Sequence, residues 1–307
     1  MNLQRFKGYF FAAMAAAAYG TNPAFAVPLY EDGMNPNSVL LFRYVMGIPI
    51  LALIMRWRGI SFSLKPNLVA TTVVLGCLMA FSSLSLFESY NYMNSGVAST
   101  LLFVYPVMVA VIMMFFFHEK FKSSIMVCLV IMAIGLVFLM QDSDTSSLSY
   151  VGSLLVMISA LTYALYIVFV NVSKSLSQVP TTKLLFYVLT WGSLVFLVMI
   201  PLGHPLTLPQ RGVDWLSIVS LAIIPTIISL SFTTQAIHLI GSTPTAILGA
   251  LEPVTAIVLS VVILHQGLTA NEIIGGLLIV TATTIVVSGN AVDKFLLHIR
   301  KMFPRQR

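Results

Sequence analysis

Apolar residues fall into ten runs along the chain, and short polar or Gly- and Pro-containing breaks separate these runs. The hydrocarbon core of a membrane is about 30 Å thick, so a helix needs about 20 apolar residues to cross it. None of the breaks is long enough to form a lid or a separate module. The pattern predicts transmembrane helices at approximately 8–30, 37–57, 67–91, 96–117, 123–141, 150–172, 181–203, 214–238, 243–264 and 270–289.

The composition excludes a soluble protein. Hydrophobic residues make up 58% of the 307 positions and charged residues only 8%, whereas a typical soluble domain is about 25% charged. The predicted fold class is therefore all-α integral membrane, with ten transmembrane helices. The formal net charge of +6 is no argument for nucleic-acid binding, because the location of the charges matters more than their sum.

The Lys and Arg residues predict the orientation in the membrane, because positive charge collects in cytoplasmic loops. With the N-terminus inside, only Arg211 among the 16 Lys and Arg residues lies in an outer loop, and Arg43 lies within a predicted span. Both termini are therefore expected to be cytoplasmic, in a multi-pass protein of a bacterial inner membrane. The basic tail at 291–307 is expected either to flank the last helix or to lie on the anionic inner leaflet.

The two halves of the chain resemble each other at fixed offsets. A shift of 144 residues carries Tyr19 onto Tyr163, and a shift of 147 carries Pro106 onto Pro253. Each half holds five predicted helices, an odd number, so the second half must be inverted relative to the first. Inverted repeats build many secondary transporters, with the substrate site between the halves near the midplane. The predicted division is 1–145 for the first repeat, 146–290 for the second and 291–307 for the tail.

Several segments are similar to the EamA-like permeases of the drug/metabolite transporter superfamily, and the resemblance covers essentially the whole chain. It implies that helices one to four and six to nine surround a central cavity, that helices five and ten pack together behind it, and that transport is export. Two departures are Gln266, where the family usually has a glutamate, and Glu88, which matches no family position. The similar segments are Gly96 to Thr100 with Tyr105-Pro106-Val107 and Glu119, Ala246 to Val254, Gly267-Leu268-Thr269 with Ile274-Gly275-Gly276, and Phe42-Arg43-Tyr44.

Glu252 is the first candidate for the transport site, because it lies near the middle of a predicted span. A charge at this depth costs about 2.5–3.5 kcal/mol on insertion scales and is expected to face a partner or water. Pro253 has no backbone N–H and therefore frees the carbonyl of Gly249. Thr245, Gly249 and Glu252 share one helical face, so this face could bind a proton or a cation. The alternative is a glutamate that is hydrogen-bonded to a neighbouring helix only to fix packing.

Arg43 and Glu88 are two further charged side chains within predicted spans. Both lie about 10–12 Å below the outer surface at 1.5 Å of helix per residue. An ion pair between the second and third helices is one interpretation, with a purely structural role as its alternative. If Arg43 is free instead, it could bind a substrate carboxylate through two hydrogen bonds.

Polar and aromatic side chains on four further helices complete the candidate set. Each hydroxyl could instead bond its own helix carbonyl, and only convergence on one place would favour a site. These candidates are Tyr19 and Asn22 in helix one, Tyr105 in helix four, Tyr163 and Tyr166 in helix six, and Thr226, Ser229 and Thr233 in helix eight.

These features favour a secondary transporter that exports a small metabolite such as an amino acid by alternating access. No nucleophile elbow, Walker loop or metal-spaced His/Cys cluster occurs in the sequence, so no enzyme activity, cofactor or metal is predicted. The expected partners are a small-molecule substrate and membrane lipid, without nucleic acid, and a monomer is compatible with this function. The alternatives are an intramembrane enzyme that uses Glu252 as an acid and base, and an efflux protein for lipophilic cationic drugs.

Overall fold

The computed structural model describes residues 3–93, 98, 101–119, 123–141, 149–203, 205–255, 258 and 270–287. Within these residues every regular element is helical. The α-helices are α1 (Leu3–Tyr19), α2 (Asn22–Glu31), α3 (Pro36–Trp57), α4 (Pro66–Ser89), α5 (Tyr105–Phe117), α6 (Ser123–Gln141), α7 (Tyr150–Val172), α8 (Thr181–Met199), α9 (Gly212–Leu221), α10 (Ser229–Ile240), α11 (Ser242–Gly249) and α12 (Ala270–Val287). A short 3₁₀ turn at Leu176–Gln178 and a π-helix at Ala222–Ile228 complete the set.

Each predicted apolar run contains helix, which confirms the all-α class. Among the described residues, five helices are long and apolar enough to cross a membrane on length and composition. The number of spans and the side on which the termini lie stay predictions. The tail at 291–307 and the His265-Gln266 dipeptide lie outside the described residues. The five long helices are Pro36–Trp57, Pro66–Ser89, Tyr150–Val172, Thr181–Met199 and the continuous stretch Gly212–Ile240.

Four of the predicted runs are not regular α-helices, and proline accompanies each irregularity. The first run breaks at Gly20-Thr21, just before Pro23 in the first turn of α2. The eighth run widens into the π-helix, which contains Pro225. Proline lacks the N–H that an α-helix needs at an interior position, so each of these segments leaves the regular bonding pattern.

The other two irregular runs break at matching positions. A turn at residues 103–104 precedes Tyr105 and Pro106 at the start of α5. A turn at Ala250 separates α11 from a helical turn at 251–255, which contains Pro253. The offset of 147 residues carries the first break onto the second. The backbone is therefore interrupted at the same place in both halves.

The helices pair in a pattern that is preserved when the two halves are exchanged. Helix α1 packs against α10, and α4 packs against α7. The repeat offsets place α1 on α7 and α10 on the C-terminal part of α4, so the first pair becomes the second. The pairs α3–α8 and α6–α12 also pack, and the same offsets convert each of these two pairs into itself.

Helices α6 and α12 pack against each other and meet through glycine. A Cβ atom added to Gly135 would lie 3.0 Å from the backbone oxygen of Gly275. Small residues at such a crossing allow two backbones to approach each other closely. These are the fifth and tenth predicted helices, so the structure confirms that they pack together.

Candidate functional site

A small cavity lies where the interrupted helices meet. Its volume is about 40 Å³, which is room for a few water molecules. The walls come from the α1–α2 break, the C-terminal end of α4, the turn before α5 and the helical turn at 251–255. The lining residues are Tyr19, Gly20, Asn22, Pro23, Leu86, Tyr90, Leu102, Phe103, Glu252 and Pro253.

Glu252 supplies the carboxyl group of this cavity. The residue is 8% exposed and follows the break at Ala250. Within the described part of the chain, its carboxyl group makes neither a hydrogen bond nor an ion pair. The alternative of a glutamate bonded to a neighbouring helix is thus not seen among these residues. A buried acid that faces a cavity without a protein partner can bind a proton or a cation.

The four candidate tyrosines form one cluster beside Glu252, and we call Tyr19, Tyr105, Tyr163 and Tyr166 the tyrosine cluster. The ring of Tyr163 stacks on Tyr19 at 6.5 Å and on Tyr166 at 6.3 Å. The ring of Tyr105 meets Tyr163 edge-on at 4.9 Å. Tyr19, Tyr105 and Tyr163 all lie within electrostatic range of the Glu252 carboxyl. Residues from both halves of the sequence therefore surround one acid.

Two glycines allow the helices to approach each other closely around this cluster. A Cβ atom on Gly249 would lie 1.6 Å from the phenol oxygen of Tyr105, so no larger residue fits beside that phenol. A Cβ atom on Gly20 would lie 2.7 Å from the backbone oxygen of Glu252. The sequence predicted a role for Gly249 through its freed carbonyl. The structure shows a second role: Gly249 has no side chain, and this leaves the space that the Tyr105 phenol occupies.

Arg43 is 1% exposed and links the α1–α2 break to the π-helix. Its Nη1 donates to Asn22 Oδ1 at 3.1 Å, its Nη2 donates to the carbonyl oxygen of Pro225 at 3.3 Å, and its Nε donates to the Thr226 hydroxyl. The guanidinium also lies 5.9 Å from the ring centroid of Phe87. All of these partners are neutral.

Of the two interpretations of Arg43 and Glu88, the ion pair is not seen among the described residues. Glu88 is half-buried at the end of α4 and accepts a hydrogen bond from the Asn91 amide at 3.1 Å. Tyr30 lies within electrostatic range of both Arg43 and Glu88. Equal depth was the reason for expecting the pair, but depth does not specify the direction in which a side chain leaves its helix. Arg43 turns towards the polar groups that the interrupted helices expose.

The remaining hydroxyl candidates do not converge on the cavity. Thr245 bonds the Gly241 carbonyl of its own helix at 2.7 Å, as the alternative interpretation predicted. Thr226 accepts from Arg43 and donates to the Leu221 carbonyl at 2.7 Å. Two others contact different neighbours: Ser229 donates to the Ala15 carbonyl at 2.9 Å, and Thr233 lies beside the Tyr163 phenol.

Sequence reasoning missed several cavity residues, including Gly20, Tyr90 and Phe103. Gly20 precedes Thr21-Asn22-Pro23, a composition that is typical of a helix break, so this signal was present. Phe103 becomes a lining residue because the turn at 103–104 interrupts the helix. No sequence signal distinguishes Phe103 from other apolar residues in its run.

The comparisons with known proteins agree with this arrangement. A family model described as the EamA-like transporter family matches residues 6–141 and matches again at residues 150–288. The chain belongs to the EamA-like transporter family. This membership makes it a membrane transporter, and it supports the transmembrane interpretation of the apolar helices.

Two relatives have names that agree with this membership. An uncharacterized transporter, sll1319, from Synechocystis sp. (strain ATCC 27184 / PCC 6803 / Kazusa) is 26% identical over 253 residues, which cover 77% of this chain and 75% of that protein. The uncharacterized transporter YdfC from Bacillus subtilis (strain 168) is 23% identical over 254 residues, which cover 81% of each chain. Both names indicate a transporter and not an enzyme.

A solved crystal structure has the same fold as this EamA-like chain. Its TM-score is 0.76 at 18% sequence identity, and the match covers 95% of this chain and 98% of the other. At this identity the likeness concerns the fold alone.

Proposed function

We propose that this EamA-like transporter is a secondary transporter that exports a small metabolite, such as an amino acid, across the bacterial cytoplasmic membrane by alternating access. The observation that carries the proposal is the Glu252 carboxyl group, which faces a cavity and has no partner among the described residues. The cavity lies where helices from both halves of the chain are interrupted. Interrupted helices that meet at a repeat interface are typical of secondary-transporter binding sites.

The helix pairing supports two repeats that move against each other. Exchange of the halves preserves the pairs described above, as a two-fold relation between the repeats requires. Together with the odd number of predicted helices in each half, this supports inversion and cytoplasmic termini. In such an architecture one repeat rocks against the other around a fixed site. The tyrosine cluster and Glu252 are the central contacts that this movement would expose to each side in turn.

The chemistry of the site favours a ligand with a positive charge. A carboxylate attracts an ammonium group or a proton, and the faces of tyrosine rings attract cations. Glu252 is therefore proposed to bind the ammonium group of the substrate or the coupling proton. The cavity of about 40 Å³ holds water but is too small for an amino acid, so the site must widen when substrate binds.

Efflux of lipophilic cations is the second candidate, and the tyrosine cluster is the observation that favours it. A cluster of four aromatic rings, three of which lie near the Glu252 carboxyl group, can bind a hydrophobic cation without any other polar contact. A metabolite with further polar groups needs further polar partners. Substrate screening therefore distinguishes the two candidates.

The test is flux into proteoliposomes that contain the purified protein, with a panel of radiolabelled amino acids, small amines and lipophilic cations. We expect saturable flux of at least one amino acid and a severe loss of this flux in Glu252→Gln. Glu31→Gln is the matched control, because the same change is then made at the exposed end of α2. Flux of lipophilic cations alone would favour the second candidate. Normal flux in Glu252→Gln would contradict the role of this carboxyl group.

A further inference from the structure

The guanidinium of Arg43 is a buried cation whose known partners do not neutralise its charge. It is 1% exposed, and within the described ranges it forms no ion pair. Its hydrogen-bond partners are an amide oxygen, a hydroxyl and a backbone carbonyl. Moving a charge out of water is costly unless an opposite charge compensates it. An arrangement of this kind is favourable if the counter-charge arrives with a ligand.

Arg43 also retains hydrogen-bonding capacity. A guanidinium has five N–H donors, and three of them are used by the bonds to Asn22, Pro225 and Thr226. One N–H on each terminal nitrogen has no acceptor among the described residues. These two terminal nitrogens form the planar fork that binds a carboxylate through two hydrogen bonds.

Asn22 provides a second donor at the same place. Its side-chain oxygen accepts from Arg43, which fixes its Nδ2 as the remaining donor. Asn22 is 3% exposed, and its Nδ2 has no hydrogen-bond partner among the described residues. A buried donor without a partner destabilises the folded protein, because it has lost its hydrogen bonds to water. Because Asn22 lines the cavity together with Glu252, this donor lies at the wall of the candidate transport site.

The geometry points to a carboxylate-binding subsite formed by Arg43 and Asn22, which receives the carboxylate of an α-amino acid whose ammonium group is held by Glu252. This inference rests on the proposed function and specifies its substrate class as a zwitterion. Arg43 Nη1 donates to Asn22 Oδ1 at 3.1 Å, and Asn22 and Glu252 line the same cavity, so Asn22 links the guanidinium to the cavity that the acid faces. A zwitterion matches both charges at once, whereas a simple amine leaves the guanidinium without a counter-charge.

The first experiment uses the wild-type protein in detergent and follows its melting temperature with three related ligands. These probes are an amino acid that the flux panel identifies, the amine without its carboxylate, and the acid without its amino group. We expect the amino acid to bind at least 10-fold more tightly than either analogue. Equal binding of the amine would overturn the subsite, while its transport would leave the proposed function intact. Failure of the entire panel to bind would overturn both.

The second experiment places a carboxylate permanently at the subsite through Asn22→Asp. The new acid would lie beside Arg43 Nη1 and neutralise it, so the protein should fold. We expect amino-acid affinity to fall roughly 10- to 100-fold, the worth of a charged hydrogen bond, while amine affinity is retained. Asn171→Asp on α7 is the matched control, because Asn171 contacts Ser242 and lies away from Arg43. A uniform loss for amino acid and amine alike would contradict the proposal.

An inorganic anion is the other possible source of the same charge, and chloride tests it. Melting curves of the wild type are compared in chloride and in a chloride-free sulfonate buffer, with and without the amino acid. We expect chloride to have little effect on its own and at most to compete weakly with the amino acid. Stabilisation by chloride, combined with equal affinity for the amino acid and its amine, would show an inorganic anion site and overturn the substrate assignment.

Discussion

The segments before Pro106 and before Pro253 occupy matched positions in the two halves but differ in chemistry. Both are preceded by a turn that interrupts the helix. The first half has Tyr105 where the second half has Glu252. The common element is thus a backbone that a proline opens, and the side chain beside it has diverged. The interrupted backbone determines the shape of the site, and the residue before the proline, Tyr105 or Glu252, determines its charge.

The neighbouring positions show why the two segments are not interchangeable. Gly249 in the second half corresponds to Leu102 in the first half. The phenol of Tyr105 fills the space that a side chain on Gly249 would take. Leu102 carries a side chain at the matched position, so no equivalent space exists for Glu252. Both residues line the cavity. The tyrosine of the first half is therefore packed into the second half, while the acid of the second half faces the cavity.

A second pair of residues at matched positions also differs in chemistry and in surroundings. Arg43 in α3 corresponds to Tyr187 in α8 at the offset of 144 residues. Arg43 is buried and holds the α1–α2 break to the π-helix. Tyr187 instead donates to the Phe62 carbonyl at an exposed contact. One half thus supplies a buried cation and the other supplies a buried acid, although the helix pairing is preserved when the halves are exchanged.

The largest expected effect concerns the inversion of the halves, because its readout is all-or-none. A reporter fused after Ser146 should lie outside, and a reporter fused after Lys174 should lie inside, since Lys and Arg collect on the cytoplasmic side. Alkaline phosphatase is active only outside the cytoplasm, and green fluorescent protein fluoresces only inside it. The two reporters therefore show on which side each fusion site lies. The reverse pattern at either site would mean that the halves are not inverted. Matched positions in the two halves would then no longer be related as the comparison above assumes.

Gly249→Ala tests the contact by which the first half enters the second half. The added methyl group would overlap the Tyr105 phenol, and overpacking of this kind costs about 1–3 kcal/mol. We expect a lower melting temperature and a strong loss of flux, both partly restored when Tyr105→Phe removes the phenol oxygen.

Gly276→Ala is the control for this change, because a side chain at that helical glycine would meet no atom of the described residues within 4 Å. It should leave flux unchanged and the melting temperature equal or slightly higher. Wild-type behaviour of Gly249→Ala would show that Tyr105 does not need this position.

The smallest effect concerns the partners of Arg43 and is measured by two double-mutant cycles. Arg43→Ala combined with Thr226→Val should be non-additive by more than about 0.5 kcal/mol, because the two side chains are hydrogen-bonded. Arg43→Ala combined with Glu88→Ala should be additive within that margin. Unfolding in denaturant provides the free energies. A reversed pattern would restore the ion pair that equal depth suggested.

Helix positions could be predicted from the sequence because a membrane span is determined mainly by the length of an apolar run. The predicted ranges 123–141 and 150–172 coincide with α6 and α7. The interruptions were harder to place. Pro23, Pro106, Pro225 and Pro253 mark all four, but Pro28 and Pro49 lie within regular helices. Neighbouring helices decide whether a proline opens the backbone, and a single sequence does not contain that information.

The candidate site could be predicted in its chemistry better than in its geometry. Glu252 and the tyrosines stood out because polar groups within spans are costly, and the structure brings them together. The contacts of Arg43 could not be predicted, since they depend on a π-helix and a broken helix whose exposed groups are formed only by folding. Helical periodicity alone also could not show that Ser229 contacts α1 instead of the cavity.

The most direct test of the account is the pH dependence of amino-acid flux in proteoliposomes for wild type, Glu252→Gln and Tyr105→Phe, at matched protein incorporation. Only one of the two matched positions carries an acid, so the account predicts that Glu252→Gln abolishes flux or removes its dependence on pH. Tyr105→Phe should lower the rate and keep the wild-type pH profile. Wild-type flux with an unchanged pH profile in Glu252→Gln would show that Glu252 is structural and would contradict the central claim.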